Sequence, residues 1–268
     1  MSTASSPVEN EHPSADAPHW AQPVSKLKVS DVPKGAINLN MEGRQLLGPL
    51  QGFGRIWLRT YRVRLSGTQV TPAQVVEDWK QNFAVFQPST NHFYPSLAGV
   101  KPGEVVLIDT TLPLWPGTPG IIPMAAGVMV LYADDEAFTV MTPEGHPLSG
   151  WNTFSAYEED GYTVAQVQGI CRASDPIYEF GYRFMGGDLE EDKTWLGVLE
   201  ALAARWGVKG QVQFHKSLLD PKVQWSHWKN VWNDSAICTT FYVLAAPIRW
   251  ARNLFERWRS GVRNQHSA

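Results

Sequence analysis

Between residues 104 and 171 five segments with the composition of β-strands follow one another, and most of the links between them are too short to hold a crossover. They are Glu104 to Thr111 (EVVLIDTT), Gly127 to Tyr132 (GVMVLY), Ala137 to Thr142 (AFTVMT), Gly150 to Tyr157 (GWNTFSAY) and Tyr162 to Cys171 (YTVAQVQGIC). Three links carry turn residues: Asp134-Asp135-Glu136, Glu144-Gly145-His146-Pro147 and Glu158-Glu159-Asp160-Gly161. A parallel pair needs a connection of about a dozen residues or more, so these strands are expected to pair antiparallel with their sequence neighbours. The one long link, Pro113 to Pro123, is rich in Pro and Gly and reads as a wide loop.

A further strand precedes this meander. Tyr61, Val63 and Leu65 alternate with Arg62 and Arg64, the period of a strand with one wet face. Thr71 is a good N-cap, Pro72 suits a first helical turn, and Val75, Val76 and Trp79 recur at helical spacing. After the meander Asp175-Pro176 repeats the cap-and-proline signal, and Trp195, Leu199, Leu202 and Trp206 fall three or four residues apart. Gly186-Gly187 interrupts that run and predicts a break. Strand, helix, five-strand meander and long helix make an α+β chain.

Two flanks differ from this body. Residues 1–34 are rich in Ser, Pro, Ala and Glu and are expected to be an unstructured tail. They lack the basic start and apolar stretch of a signal peptide, and no apolar run reaches the roughly 18 residues of a membrane span, so a cytoplasmic location is expected. From Arg205 onward Lys and Arg outnumber Asp and Glu by 10 to 3, against 13 to 23 before it. The net charge of −3 hides that split, and it gives no reason to expect a nucleic-acid partner. Five of the twelve tryptophans, Trp225 to Trp258, lie in this basic end, after Trp206, and Trp225, Trp228 and Trp232 would share one face of an α-helix. Residues 35–206 thus read as the main domain and 207–268 as a helical, Trp-rich extension.

The central block resembles the bacterial and plant proteins grouped as domain of unknown function 1990. The residues that carry the likeness are Gly127 to Tyr132, Phe138 to Met141, the loop Thr142-Pro143-Glu144-Gly145-His146-Pro147-Leu148-Ser149-Gly150, and the strand holding Phe154. Asp160-Gly161, Val164 to Ile170 and Ser174-Asp175-Pro176 then follow in the same order. The resemblance covers about residues 100–185 well, 55–100 loosely and 207–268 hardly at all. It implies a helix-grip fold related to START and birch-pollen-allergen-like proteins: a curved antiparallel sheet wrapped on a long C-terminal helix, with an apolar ligand between them. Extra helices would follow at the C-terminal end.

Within that frame His146 is the first candidate for chemistry, since a loop histidine can exchange protons near neutral pH. Glu144, two residues away, would raise its pKa, and Tyr61 could assist; the plainer role is a turn residue that caps backbone groups. Gln166 and Gln168 share a face with Val164 and Ile170 and would orient a ligand if that face looks inward. Aromatic candidates for a cavity wall are Trp57, Tyr61, Phe138, Trp151, Phe154 and Tyr182, although a filled core gives the same pattern.

Other chemistries find little support. Cys171 with His146 could form a nucleophile–base pair, but nothing local favours it over a buried structural thiol. His92, His146, His215 and His227 show no metal-ligand spacing, and Gly52-Phe53-Gly54 lacks the rest of a phosphate loop. No metal or cofactor is expected. Asp109, Asp134, Asp135, Glu158, Glu159 and Asp160 read as solvated turn residues.

The expectation is therefore a non-catalytic protein that holds a hydrophobic or amphipathic small molecule, such as a lipid, between sheet and helix. One alternative is a helix-grip enzyme, a cyclase, dehydratase or hydrolase, with His146 as its acid/base. Another is a peripheral membrane or scaffold protein acting through residues 222–260, where Trp225, Trp228, Trp232, Arg252 and Trp258 would meet a membrane or a partner. Against both stands simple packing of that basic segment on the acidic body.

Overall fold

The computed structural model describes residues 17–30, 32–115, 117–250 and 252. Strand β1 (Ile56–Arg64) leads through α1 (Pro72–Asn82) to a short β2 (His92–Tyr94). Thr71 and Gln74 close a capping box at the start of α1. Then come β3 (Val105–Pro113), β4 (Gly120–Ala133), β5 (Ala137–Met141), β6 (Leu148–Glu159) and β7 (Tyr162–Ala173). Helices α2 (Pro176–Phe184) and α3 (Gly187–Arg205) follow, then β8 (Gln213–Asp220), a 3₁₀ segment (Trp225–Asn233) and α4 (Ser235–Leu244). The strands form one sheet in the order β2-β3-β4-β5-β6-β7-β1-β8, antiparallel throughout.

Side-chain alternation sorts this sheet into two faces. In register, Tyr61 and Phe154 both stand opposite Val167, and Phe138 stands opposite Phe154. These residues belong to one core with Val63, Val130 and Val140, closed by Val75, Val76 and Trp79 of α1 and by Val198, Leu199 and Leu202 of α3. Asp175 caps α2, and Gly186, at φ +76, breaks the chain between α2 and α3.

The long helix α3 is followed by β8, the 3₁₀ segment and α4. Three expectations need correction. Residues 207–268 are not wholly helical: β8 adds itself to the free edge of β1, with Tyr61 facing Phe214. The wide loop expected from Pro113 to Pro123 is narrower, because β3 runs to Pro113 and β4 starts at Gly120, with Thr111 opposite Pro123 and Leu112 opposite Ile122. Proline is tolerated there because β5 pairs with β4 only from Met129 onward, which leaves this stretch of β4 with a free side.

The third concerns the first 34 residues, whose positions 1–16 and 31 lie outside the described ones. Leu27 is buried with Met41 against Val105, Leu107 and Met129, on the face of β3 and β4 opposite Val106 and Val128. That second face is apolar and needs a cover, and a single well-placed leucine supplies part of it. Helix α4 has a comparable task at the free side of β4. There the Ala125 N–H donates to Thr239 Oγ1 (3.0 Å) and the Ala125 carbonyl accepts from Asn40 Nδ2 (2.6 Å).

Candidate functional site

Under α1 and the C-terminal half of α3 the inner face of the sheet is solid. Phe138 stacks on Phe154 (4.7 Å between ring centres), and Trp79 and Trp195 meet Phe154 edge-on at 5.3 and 5.5 Å. Under α2 and the start of α3 it is hollow, with a cavity of about 440 Å³. Val106, Ile108, Val128, Val130 and Val140 of β3–β5 form its floor. Tyr178, Tyr182 and Met185 of the α2 region and Glu191, Thr194 and Trp195 of α3 form its roof. Thr118, Pro119 and Gly120, from the β3–β4 tip, stand at one rim. The aromatic set is thus both filled core and cavity wall, in adjoining halves of one interface.

A few polar groups interrupt the apolar lining. His146 reaches it from the β5–β6 loop. His146 Nδ1 lies 3.1 Å from both the N–H and the carbonyl oxygen of Leu148, two contacts that fix the orientation of the ring. Burial pushes the ring's pKa down to about 4, against a smaller opposing effect of the Leu148 backbone. His146 is therefore neutral at pH 7. Glu144 does not raise it, since its Oε2 accepts from the Gln45 N–H (3.1 Å).

Glu191 is the second polar group, and its side chain is 10% exposed. Burial raises its pKa while the Arg59 guanidinium, whose Nη1 lies 2.7 Å from Glu191 Oε2, opposes the rise. Arg59 also bridges to Asp188, which Lys216 shares. Cys171 lines the cavity too, but burial pushes its thiol well up and its Sγ faces the Trp151 carbonyl at 3.6 Å. A protonated thiol and a weakly basic histidine do not make an activated nucleophile. Among the described residues no group of three or more His, Cys, Asp or Glu could hold a metal ion.

The structure thus brings Phe138, His146, Phe154 and Tyr182 to the cavity and leaves the other expected residues outside it. Trp57 lines a separate cleft of about 90 Å³ with Arg55, Arg59 and Arg183. Tyr61 is on the inner face but sealed, stacked on Phe214 at 4.8 Å and donating its hydroxyl to Asp192 (2.6 Å). Trp151 lies on the pleat opposite Phe154. Gln166 and Gln168 lie opposite Val167, where they bind Arg62 Nε (2.7 Å) and Thr60 Oγ1 (3.1 Å). Glu191 escaped the sequence reading, although it sits four residues before Trp195 and eight before Leu199, on the buried stripe of α3.

At the basic end Trp225, Trp228 and Trp232 are 68%, 44% and 75% exposed, so packing on the body does not bury them. Trp225 meets Phe53 edge-on at 5.1 Å. Their segment is 3₁₀ rather than α, so Trp225 and Trp228 align while Trp232 is turned away from their line. Arg252 is exposed, and Trp258 lies outside the described residues.

No protein-family model matches the chain, so the likeness to domain of unknown function 1990 stays a likeness. No curated protein matches it in sequence. Among solved structures it is similar to protein Ms6760 from Mycobacterium smegmatis, at 16% identity and TM-score 0.38 over 55% of this chain and 89% of that one. The di-domain ARO/CYC StfQ from the steffimycin biosynthetic pathway gives 7% and 0.42 over 57% of this chain and 51% of that one. Norcoclaurine synthase from Thalictrum flavum gives 12% and 0.34 over 68% and 98%. The fold described above rests on strand order and packing, not on these likenesses.

Proposed function

We propose that this protein binds an apolar or amphipathic small molecule, lipids included, inside a helix-grip arrangement. The observation that carries the reading is the hollow of about 440 Å³ between an apolar sheet face and α2–α3. Small-molecule sites fall at about 300–1,000 Å³ and combine apolar walls with a few placed polar groups. Here those groups are His146, a neutral imidazole held by the Leu148 backbone, and Glu191, whose charge Arg59 balances. A ligand with one polar end would set that end between them and lay its apolar part along Ile108, Val128 and Val140.

Catalysis through His146 is the less favoured reading. A ring held near pKa 4 is neutral at pH 7 and too weak a base for proton abstraction there. It serves better as a fixed, neutral hydrogen-bonding group.

Native mass spectrometry of the gently purified chain, with fluorescence titration by N-phenyl-1-naphthylamine, tests the proposal. A co-purified apolar mass or saturable one-site binding is expected, with binding weakened in Ile108→Trp, which fills the cavity from β3. Finding neither a bound mass nor saturable uptake would sink it.

A further inference from the structure

We propose that α2, the 3₁₀ segment and α4 together build a docking surface for an anionic lipid bilayer; this does not rest on the cavity's having a ligand. The three elements are tied to one another. The Ala236 N–H at the start of α4 donates to Tyr178 Oη of α2 (3.2 Å), and Asn230 Nδ2 of the 3₁₀ segment donates to the Ser174 carbonyl beside the α2 cap (2.8 Å).

Each element leaves large apolar side chains outward. In α2, Tyr178 is buried while Ile177, Phe180 and Phe184, at i, i+3 and i+7, are 49%, 57% and 61% exposed. The 3₁₀ segment adds the exposed Trp225, Trp228 and Trp232. Helix α4 buries Ala236 and Thr239 and leaves Phe241 and Leu244 each 69% exposed, with Ile248 and Trp250 beyond them. Soluble monomers rarely leave so many large apolar side chains together in water.

The charges on this surface select the partner. Between residues 221 and 252 the only acid is Asp234, which is buried as the cap of α4, whereas Lys222 and Lys229 are exposed. Arg183 lies over the Phe184 ring at 5.3 Å and Arg249 over the Tyr242 ring at 3.7 Å, so guanidinium and aromatic share the same outer layer. Tryptophan, tyrosine and arginine in one layer suit the headgroup region of a bilayer, and basic residues draw such a layer to anionic lipid. The acidic balance of the chain before Arg205 repels the same surface, which orients the molecule. Among the described residues no helix is long and apolar enough to cross a membrane, so the contact is a peripheral one.

Co-sedimentation of the full chain with phosphatidylcholine vesicles, with and without phosphatidylserine, tests this surface. Binding is expected on the anionic vesicles, falling with added salt and accompanied by a blue shift of tryptophan emission. Lys229→Glu and Arg249→Glu should each weaken partitioning about fivefold or more, and Trp228→Ser/Trp232→Ser should abolish it while leaving circular dichroism unchanged. Absence of binding to anionic vesicles overturns the proposal, as does wild-type binding by the double tryptophan variant. A dimer in solution that the same tryptophan changes dissolve, without vesicle binding, would assign the surface to a second copy of the chain and overturn it equally.

Discussion

Asp175→Asn should make the protein more stable at neutral and mildly alkaline pH, although it alters a helix cap. Asp175 Oδ1 accepts from the Ile177 and Tyr178 N–H groups (2.8 and 2.9 Å), while its Oδ2 is buried without a partner. Burial is the main reason its pKa rises from 3.8 to about 7, and the neighbouring Asp234 carboxylate pushes in the same direction. Between those two values the folded chain keeps a proton that the unfolded chain has released, so stability falls as pH rises through the window. At about 1.4 kcal/mol per unit, three units set a ceiling of about 4 kcal/mol lost by pH 7. Asparagine caps a helix about as well as aspartate and carries no charge. It forgoes about 0.3–1 kcal/mol of charge–dipole attraction. A gain of about 1–3 kcal/mol in the variant is the net expectation near pH 8, shrinking to nothing near pH 4. Urea unfolding followed by tryptophan fluorescence across that range measures the difference between the two proteins. A variant less stable than the wild type near pH 8, or a difference that does not change with pH, would refute the reasoning.

Three other perturbations have defined outcomes. The His146 ring, followed by NMR through its Cε1 proton, should titrate near 4 rather than 6.5. The unfolded chain then takes up its proton first as pH falls through that window, and this site lowers stability there by up to about 3 kcal/mol; titration near 6.5 would place the ring in water. Gly145→Ala should cost about 2–4 kcal/mol in chemical denaturation, because Gly145 sits at φ +84 and a Cβ there would overlap the Asn233 carbonyl; an unchanged midpoint would show that the loop and the 3₁₀ segment are not in contact. Arg59→Met should cost about 3–5 kcal/mol by leaving Glu191 buried without its partner, and adding Glu191→Leu should restore most of that loss.

The strands of the meander could be read directly because alternation and turn residues agree along β3–β7. Strand β8 could not: its pattern QFHKSLLD has no clean alternation, most of it stays exposed, and the open edge of β1 rather than its own composition makes it a strand. The cover over β3 and β4 escaped notice for a similar reason, since Leu27, Val29 and Met41 supply it as isolated apolar residues without strand or helix periodicity. At the site, alternation grouped residues correctly but could not say which group faced inward. Fixing Phe154 as buried sends Trp151 to the opposite pleat, and fixing Val167 does the same to Gln166 and Gln168. Glu191 was passed over because a carboxylate on a helix ordinarily faces water; its place on the stripe of Trp195 and Leu199 was the available signal.

The central claim is that the space between the sheet and α2–α3 is hollow and apolar. A crystal of the protein held under xenon pressure tests it most directly, because xenon enters dry apolar cavities without needing the right ligand. Xenon density enclosed by Ile108, Val128 and Tyr182 is the predicted result. Tyr182 and Met185 collapsed onto the valines of β3–β5, with no xenon between them, would contradict it.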